Sequence, residues 1–133
     1  MPSESGFWPA FWLNGRDSWP PEIDIMEYLT EEGWKIHSTV HRNNNGSDSS
    51  ISTVINTSFD PKGDYHTYAI DWNDARINFY FDDILVFSVK DTTFISNQKN
   101  MYMIVNLGVG GWAQEPSASS ATFRCDYIRS YVY

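Results

Sequence analysis

The stretch EIDIME, residues 22–27, holds three carboxylates in an apolar segment that reads as a β-strand. Side chains of an extended strand alternate between its two faces, so Glu22 and Asp24 would point one way and Glu27 the other. A β-bulge at the two residues between Asp24 and Glu27 would return Glu27 to the first face, because an extra residue shifts the alternation by one position. The sequence therefore predicts an irregular strand that presents three acidic side chains on one surface.

This spacing suits a particular acid and base chemistry. With the bulge, Glu22 and Glu27 lie about four pleat steps apart, or ~13 Å between Cα atoms, and their side chains can lean together on a concave sheet. Two carboxyl groups about 5 to 5.5 Å apart are what a retaining glycosidase uses, whereas an inverting enzyme needs a wider gap for water. Asp24 lies between them and would separate their pKa values. A calcium site is the competing interpretation, since hard cations also recruit clustered carboxylates.

The rest of the chain indicates an all-β protein, because strand patterns follow one another with turn residues between them and without a helical period. A hairpin is expected around Asp82 and Asp83. The frequency of strands favours a sandwich or jelly roll of two antiparallel sheets. The expected strand segments are 7–13, 22–27, 33–42, 51–55, 65–72, 76–89 as the hairpin, 101–111 and 122–133. The aromatic side chains assigned to the core include Phe79, Phe81, Phe87 and Tyr131.

Length and charge limit the classes of function. The 133 residues predict one domain over 1–133, and 41% hydrophobic residues suffice for a packed core. A formal charge of −8 argues against nucleic acid as a partner. No apolar run suits a membrane span, and the first residues lack the pattern of a signal peptide. The single cysteine, Cys125, forms neither an internal disulfide nor a zinc site alone.

Several motifs together resemble a known enzyme family. WPPEIDIMEY is preceded by GFWPAFWL and followed by HSTVHRN, YHTYAIDW, YFDDILVF, VNLGVGG and CDYIRSYVY. In this order they resemble the laminarinase-like branch of glycoside hydrolase family 16, from Gly6 to the last residue. The resemblance implies a concanavalin-like β-jelly roll, an extracellular protein, a retaining mechanism and no cofactor for catalysis.

The resemblance also implies roles for individual residues. Glu22 matches the nucleophile, Glu27 the acid/base and Asp24 the assisting carboxylate. The expected substrate-binding residues are Trp8 and Trp12, which match cleft tryptophans, His41, which matches a histidine beside the acid/base, and Trp19 and Trp112 in flanking loops, where an aromatic is either a sugar platform or a loop anchor. Asn106 is expected to be structural.

The chain departs from the family pattern in two places. Pro21 stands where relatives often have glycine, which is acceptable at the start of a strand. The strands that family members carry before GFWPAFW are absent, which predicts exposed sheet edges and apolar faces. A fragment of a longer polypeptide, a homo-oligomer that completes its sheets through those edges, and a reduced but self-sufficient domain are the three explanations, and self-association is favoured. Asp126 matches one ligand of the structural calcium that many bacterial relatives bind.

The expected function is that of an endo-acting glycoside hydrolase that cleaves β-1,3 or mixed β-1,3-1,4 glucan by double displacement. A non-catalytic β-glucan-binding protein is an alternative, although binding alone does not require the three carboxylates. A hydrolase of algal galactans of the agar or carrageenan type is another, but sulfated substrates would favour basic residues that this acidic chain has in small number. Transglycosylation would use the same residues as hydrolysis.

Overall fold

The computed structural model describes residues 1–58 and 60–131 and consists of two antiparallel sheets. The larger sheet has the strand order β4-β3-β2-β1-β8, and the smaller has the order β5-β6-β7. The strands are β1 (Phe7–Gly15), β2 (Glu22–Glu27), β3 (Lys35–Asn44), β4 (Ser47–Asn56), β5 (Tyr68–Asn73), β6 (Arg76–Phe81), β7 (Ile84–Val89) and β8 (Met101–Val109), with one short helix, α1 (Thr92–Ile95), between β7 and β8. The predicted all-β sandwich is confirmed.

The core forms where the two sheets face each other. Ile23 and Val40 of the larger sheet and Ile77 and Phe79 of the smaller sheet are almost fully buried in one apolar cluster. Burial of apolar side chains of this size is the main favourable contribution to folding, at roughly 1.5–3 kcal/mol each. The strand alternation that puts these residues inside turns the neighbouring residues of β1, β2 and β3 to the opposite face of the larger sheet.

The expected bulge is present in β2. Asp24 pairs with Thr39 of β3 and Glu27 pairs with His37, so that Ile25 and Met26 together oppose one residue, Ser38. Both Ile25 and Met26 are buried. The extra residue therefore adds apolar contact to the core and restores Glu27 to the face that carries Glu22 and Asp24.

Two tight hairpins use residues that tolerate positive φ. Asp82 and Asp83, at φ of 46° and 64°, join β6 to β7 as the sequence predicts. Asn45 and Gly46, at 54° and 88°, join β3 to β4 in the same way. The second hairpin lies in a segment that the sequence pattern suggested to be a loop, so β4 begins four residues earlier than expected, at Ser47 rather than at residue 51. Helix α1 was not expected.

The predicted strand at 122–133 is wrong for its described part, because residues 122–131 form no strand. Tyr131, assigned to the core, is 72% exposed, while Phe79 and Phe81 are buried and Phe87 is partly buried. An alternating pattern forms a strand only when a neighbouring strand accepts its backbone hydrogen bonds, and no described strand pairs with this segment.

The space between the sheets is incompletely filled. An open groove of about 770 Å³ lies beside Phe11, Met26, Tyr68 and Val105 and is bordered by residues 120–128. Phe11 and Met26 point away from the three carboxylates, so this groove lies on the other side of the larger sheet. Within residues 1–58 and 60–131, none of the helices has the length and apolar character that a membrane span requires.

Candidate active site

The three carboxylates lie together on the outer face of the larger sheet, in the central strand β2. Opposite Glu22, Asp24 and Glu27 on β1 are Asn14, Trp12 and Ala10, respectively. The six residues of β2 from Glu22 to Glu27 thus lie opposite five residues of β1, as the bulge requires. Burial is substantial, since Asp24 is 4% and Glu27 9% exposed. The sequence prediction that this trio shares one surface is confirmed.

Burial shifts the pKa values of the carboxyl groups upward, and to different extents. Loss of hydration raises the pKa of Glu22 to about 7, with a smaller contribution from the negative charge of Asp24. Loss of hydration raises the pKa of Glu27 to about 8, with contributions from Asp24 and then Glu22. The pKa of Asp24 is also raised, chiefly by burial. Between pH 7 and 8 the preferred state is therefore an ionised Glu22 beside a protonated Glu27, which is the pairing of nucleophile and acid.

His41 supplies the positive charge of the site. Its Nε2 lies 3.4 Å from Oδ2 of Asp24 and 3.8 Å from Oε1 of Glu22, while its Nδ1 lies 3.0 Å from both carboxylate oxygens of Asp48. The hydrogen bond to Asp24, followed by that to Asp48, raises the pKa of His41 to about 9 against the opposing effect of burial. An imidazolium is thus held between three carboxylates at neutral pH.

The expected position of His41 beside the acid/base needs correction. Strand pairing puts His41 opposite Glu22 and puts His37 opposite Glu27. His41 therefore lies beside Glu22, and His37 is the histidine beside Glu27. The two histidines are four residues apart on β3 and share its outer face. The register of β2 against β3 pairs His41 with Glu22, and the bulge pairs His37 with Glu27.

Trp19 contacts the nucleophile candidate directly. Its indole Nε1 donates a hydrogen bond of 3.1 Å to Oε2 of Glu22, and its ring lies 5.9 Å from that of His41. The peptide bonds on both sides of Pro20 are cis, and Pro21 precedes the first residue of β2, where a missing backbone donor costs nothing. Trp19 is 55% exposed, so more than half of this side chain remains accessible while its nitrogen orients Glu22.

Trp8 and Trp112 form an aromatic corner near Glu27. Their rings meet edge to face at 5.4 Å, and Trp112 also packs edge to face on His37 at 4.8 Å. The His37 Nε2 lies 2.8 Å from Oε2 of Glu32. The buried Trp8 indole N–H is directed at the Glu27 carboxylate and lowers the pKa of Glu27 against the larger, opposing effect of burial.

Trp12 is fixed from the neighbouring strand. Its Nε1 donates a hydrogen bond of 2.7 Å to Oδ1 of Asn106, which lies on β8. The position of Asn106 agrees with the expected structural role, and it also defines how the Trp12 ring is presented next to Asp24. The sequence alone did not indicate Asp48, His37 or Glu32, although the alternation of β3 already placed His37 and His41 on the same face.

The donor set does not favour a metal ion at the carboxylates. Glu22, Asp24 and His41 bring possible ligand atoms within 4.8 Å of one another. A metal needs a neutral imidazole with a free lone pair, but the two ring nitrogens of His41 face the carboxylates of Asp24 and Asp48. For the calcium expected at Asp126, the residues do not fit: this side chain is exposed and belongs to no group of three possible ligands in the described ranges.

The arrangement defines a class of protein: a β-sandwich with a bulged central strand whose carboxylates and tryptophans share one face, as in enzymes that act on glycosidic bonds. The chain belongs to the family described as glycosyl hydrolases family 16, whose model matches residues 1–129.

The relatives have related names. The chain is 39% identical to the endo-1,3-1,4-beta-glycanase ExsH of Rhizobium meliloti (strain 1021), over 98% of this chain and 28% of that protein. It is 30% identical to a galactan endo-beta-1,3-galactanase of Flammulina velutipes, over 91% and 47% of the two chains. Among solved structures, an endo-beta-1,3-glucanase from Pyrococcus furiosus is similar with a TM-score of 0.69 and 32% identity, covering 90% of this chain and 51% of that one. The chain thus spans about half or less of the length of these relatives.

Proposed function

We propose that this protein is an endo-acting, retaining glycoside hydrolase that cleaves β-1,3 or mixed β-1,3-1,4 glucan. The observation that carries the proposal is the bulged strand β2, which brings Glu22, Asp24 and Glu27 to one face and gives Glu27 the higher pKa of the two glutamates. The name of the relative from Pyrococcus furiosus, an endo-beta-1,3-glucanase, supports glucan as the substrate, and the name of the relative from Rhizobium meliloti, an endo-1,3-1,4-beta-glycanase, supports mixed β-1,3-1,4 linkages.

In the first step of this mechanism, the ionised carboxylate of Glu22 attacks the anomeric carbon while Glu27 transfers its proton to the leaving oxygen. The bond to the leaving sugar breaks, and an ester between Glu22 and the remaining glycan forms. In the second step, Glu27, now ionised, accepts a proton from water, whose oxygen attacks the anomeric carbon and releases Glu22. Because two displacements invert the carbon twice, the product keeps the original configuration.

The surrounding residues have matching tasks in this scheme. Trp19 orients one oxygen of Glu22 and leaves the other for attack, while the positive charge of His41 keeps Glu22 ionised beside Asp24. The tryptophan faces supply flat apolar surfaces of the kind on which sugar rings stack. The N–H of Trp8 orients the Glu27 carboxyl group, as Trp19 orients that of Glu22.

A comparison of polysaccharides tests the proposal. Laminarin, barley glucan, lichenan and agarose are incubated with the purified chain, and the products are separated by size. Shortening of laminarin or of the mixed-linkage glucans into oligosaccharides is expected, and Glu22→Gln and Glu27→Gln should each abolish it. Glu115→Gln, an exposed substitution of the same chemistry, is the control. Binding of glucan without shortening would contradict the proposed hydrolysis and indicate a glucan-binding protein.

Azide distinguishes the two glutamates and tests retention. In Glu27→Ala, azide can attack the glycosyl ester on Glu22 without help from a base, so rescue should give a glycosyl azide of the same configuration as the substrate. In Glu22→Ala, azide would take the place of the missing carboxylate. With an activated aryl glycoside of the substrate's configuration, it displaces the aryl group once and gives a glycosyl azide of the opposite configuration. Identical products from both variants would contradict the assignment.

Galactan is the second candidate substrate, because the relative from Flammulina velutipes is named a galactan endo-beta-1,3-galactanase. Agarose in the same comparison, together with a β-1,3-galactan, distinguishes this possibility. Exclusive release of galacto-oligosaccharides would identify galactan rather than glucan as the substrate. The proposed roles of Glu22 and Glu27 would remain unchanged.

We also propose an extracellular location and self-association. Polysaccharide substrates are too large to cross a membrane, which supports the location.

Strands β4 and β8 are the edges of the larger sheet, and Met103 and Val109 on β8 are 43% and 61% exposed, which supports a homo-oligomer formed through these edges. Sedimentation velocity at several concentrations should show a dimer or larger species, and a monomer at all concentrations would contradict it.

A further inference from the structure

Asp48 lies at the edge of the candidate site but contacts none of the three catalytic carboxylates. It is on β4, on the far side of His41 from Glu22 and Asp24. In the strand pairing, Ser50 is directly opposite His41, so Asp48 is its diagonal neighbour on the same face, at a separation that a long side chain or ring can bridge. The Asn45 and Gly46 hairpin, three residues before, determines this register.

The contact of Asp48 with His41 is the tightest that His41 makes through its ring. Both carboxylate oxygens of Asp48 lie 3.0 Å from Nδ1, whereas Nε2 is 3.4 Å from Asp24 and 3.8 Å from Glu22. A hydrogen bond to one ring nitrogen of histidine determines both the ring orientation and what the other nitrogen can do. The Asp48 carboxylate therefore holds Nε2–H toward the nucleophile side.

We propose that Asp48 is a positioning residue for the nucleophile: it fixes the His41 ring across the face of the larger sheet and keeps it protonated, so that its positive charge stays next to Glu22 and Asp24. The role in catalysis rests on the proposed function, but the interaction itself does not.

All charged groups that face His41 contribute to the expected change in its pKa. On β2 these are Glu22 and Asp24, with Glu27 farther along the strand, and on β4 the group is Asp48. The segment before β8 contributes only the neutral amide of Gln98, which donates to the His41 carbonyl at 2.9 Å. Asp48 has a direct effect on Glu22 that is opposite to its effect through His41: its own negative charge weakly raises the pKa of Glu22, while the histidine it keeps charged lowers that pKa.

Two substitutions separate the charge from the hydrogen bond. Asp48→Asn keeps an oxygen that can accept from Nδ1–H but removes the charge, and Asp48→Ala removes both. Asp74→Asn, in the turn between β5 and β6, changes the net charge equally at a distance and serves as the control. NMR titration of the His41 ring in each protein measures the interaction without any substrate.

The His41 pKa should fall by about 1–3 units in both Asp48 variants, as expected for loss of an opposite charge in contact, and should be unchanged in Asp74→Asn. If the chain hydrolyses glucan and needs a protonated His41, the ratio of kcat/KM between Asp48→Asn and the unsubstituted protein should fall as pH rises. With the His41 pKa at about 9 before the substitution, the loss near pH 8 is about twofold for a shift of one unit and about tenfold for a shift of two units. An unchanged His41 pKa in Asp48→Asn and Asp48→Ala would overturn the proposal. Absence of hydrolysis by the unsubstituted chain would overturn the proposed function instead, and the titration would still decide the role of Asp48.

Discussion

The hydroxyl of Ser38, on β3, donates a hydrogen bond of 2.9 Å to the carbonyl oxygen of Ile25 in the bulge of β2. A bulge leaves backbone groups outside the regular hydrogen-bond ladder, and a buried carbonyl without a donor is costly. Ser38 is fully buried, so its side chain stands in for the missing backbone donor. One hydroxyl thus stabilises the irregularity that brings Glu27 to the face of Glu22.

Removal of that hydroxyl should destabilise the fold and disturb the site together. Ser38→Ala leaves the Ile25 carbonyl without this partner in the core, and the free energy of unfolding should decrease by ~1–3 kcal/mol. Denaturant unfolding measures the loss, and Ser47→Ala, an exposed serine at the start of β4, is the control. A stability equal to that of the unsubstituted protein would show that the bulge does not need this hydrogen bond.

The bulge also shows how far the sequence determines the site. The broken alternation of Glu22, Asp24 and Glu27 was sufficient to predict an extra residue near Ile25 and Met26, because strand geometry allows few other solutions. The partner of each glutamate could not be obtained in this way. Pairing with β3 depends on register, and a shift of one residue would turn both His37 and His41 to the opposite face.

The errors have a common physical origin in long-range contacts. Asp48 lies in a segment rich in Asn, Ser and Gly that looks like a loop, yet the two residues Asn45 and Gly46 suffice for a hairpin and place Asp48 beside His41. The C-terminal segment has the opposite problem: its alternation predicts a strand, but the described residues 122–131 have no neighbouring strand to pair with. An alternating sequence pattern predicts a strand correctly only where a neighbouring strand is available to pair with it.

The pKa values of the two glutamates predict a narrow pH optimum for hydrolysis. Activity requires an ionised Glu22, with a pKa of about 7, and a protonated Glu27, with a pKa of about 8. The value of kcat/KM should therefore rise with pH up to about 7, remain high to about 8, and then fall. Initial rates with laminarin from pH 4 to 10 measure this bell-shaped profile.

The two limbs of the profile can be assigned with a substrate that needs no acid. In Glu27→Gln, a dinitrophenyl glycoside should still react through Glu22, because its leaving group departs without protonation. The rate at which this variant forms the glycosyl enzyme should still rise with pH on the acid side, but it should no longer fall on the alkaline side. Persistence of the alkaline limb in this variant would exclude Glu27 as the group responsible.

The hydrogen bond between Trp12 and Asn106 should affect substrate binding more than the chemical step. Asn106→Ala and Trp12→Phe each remove the 2.7 Å hydrogen bond, and Trp12→Phe also keeps an aromatic face. Both should raise KM by several-fold, in line with ~1 kcal/mol for one hydrogen bond, and leave kcat nearly unchanged. Trp12→Ala, which removes the stacking surface, should raise KM further. Equal KM values for Trp12→Phe and Trp12→Ala would show that the ring is not a sugar platform.

The buried Glu27 should make the protein less stable as the pH rises. The pKa of Glu27 in the fold, about 8, exceeds the ordinary value of 4.5, so the folded state holds this proton more tightly than the unfolded state does. Its favourable contribution is fully present below pH 4.5 and is lost as the pH rises through about 8.

Gln has nearly the same shape as protonated Glu and cannot ionise. Glu27→Gln should therefore match the unsubstituted protein at pH 4 and exceed it in Tm at pH 9, since even one pKa unit is worth ~1.4 kcal/mol. Thermal unfolding at both pH values measures the difference, with the exposed Glu115→Gln as control, and a gain that is equal at pH 4 and pH 9 would attribute it to packing rather than to ionisation.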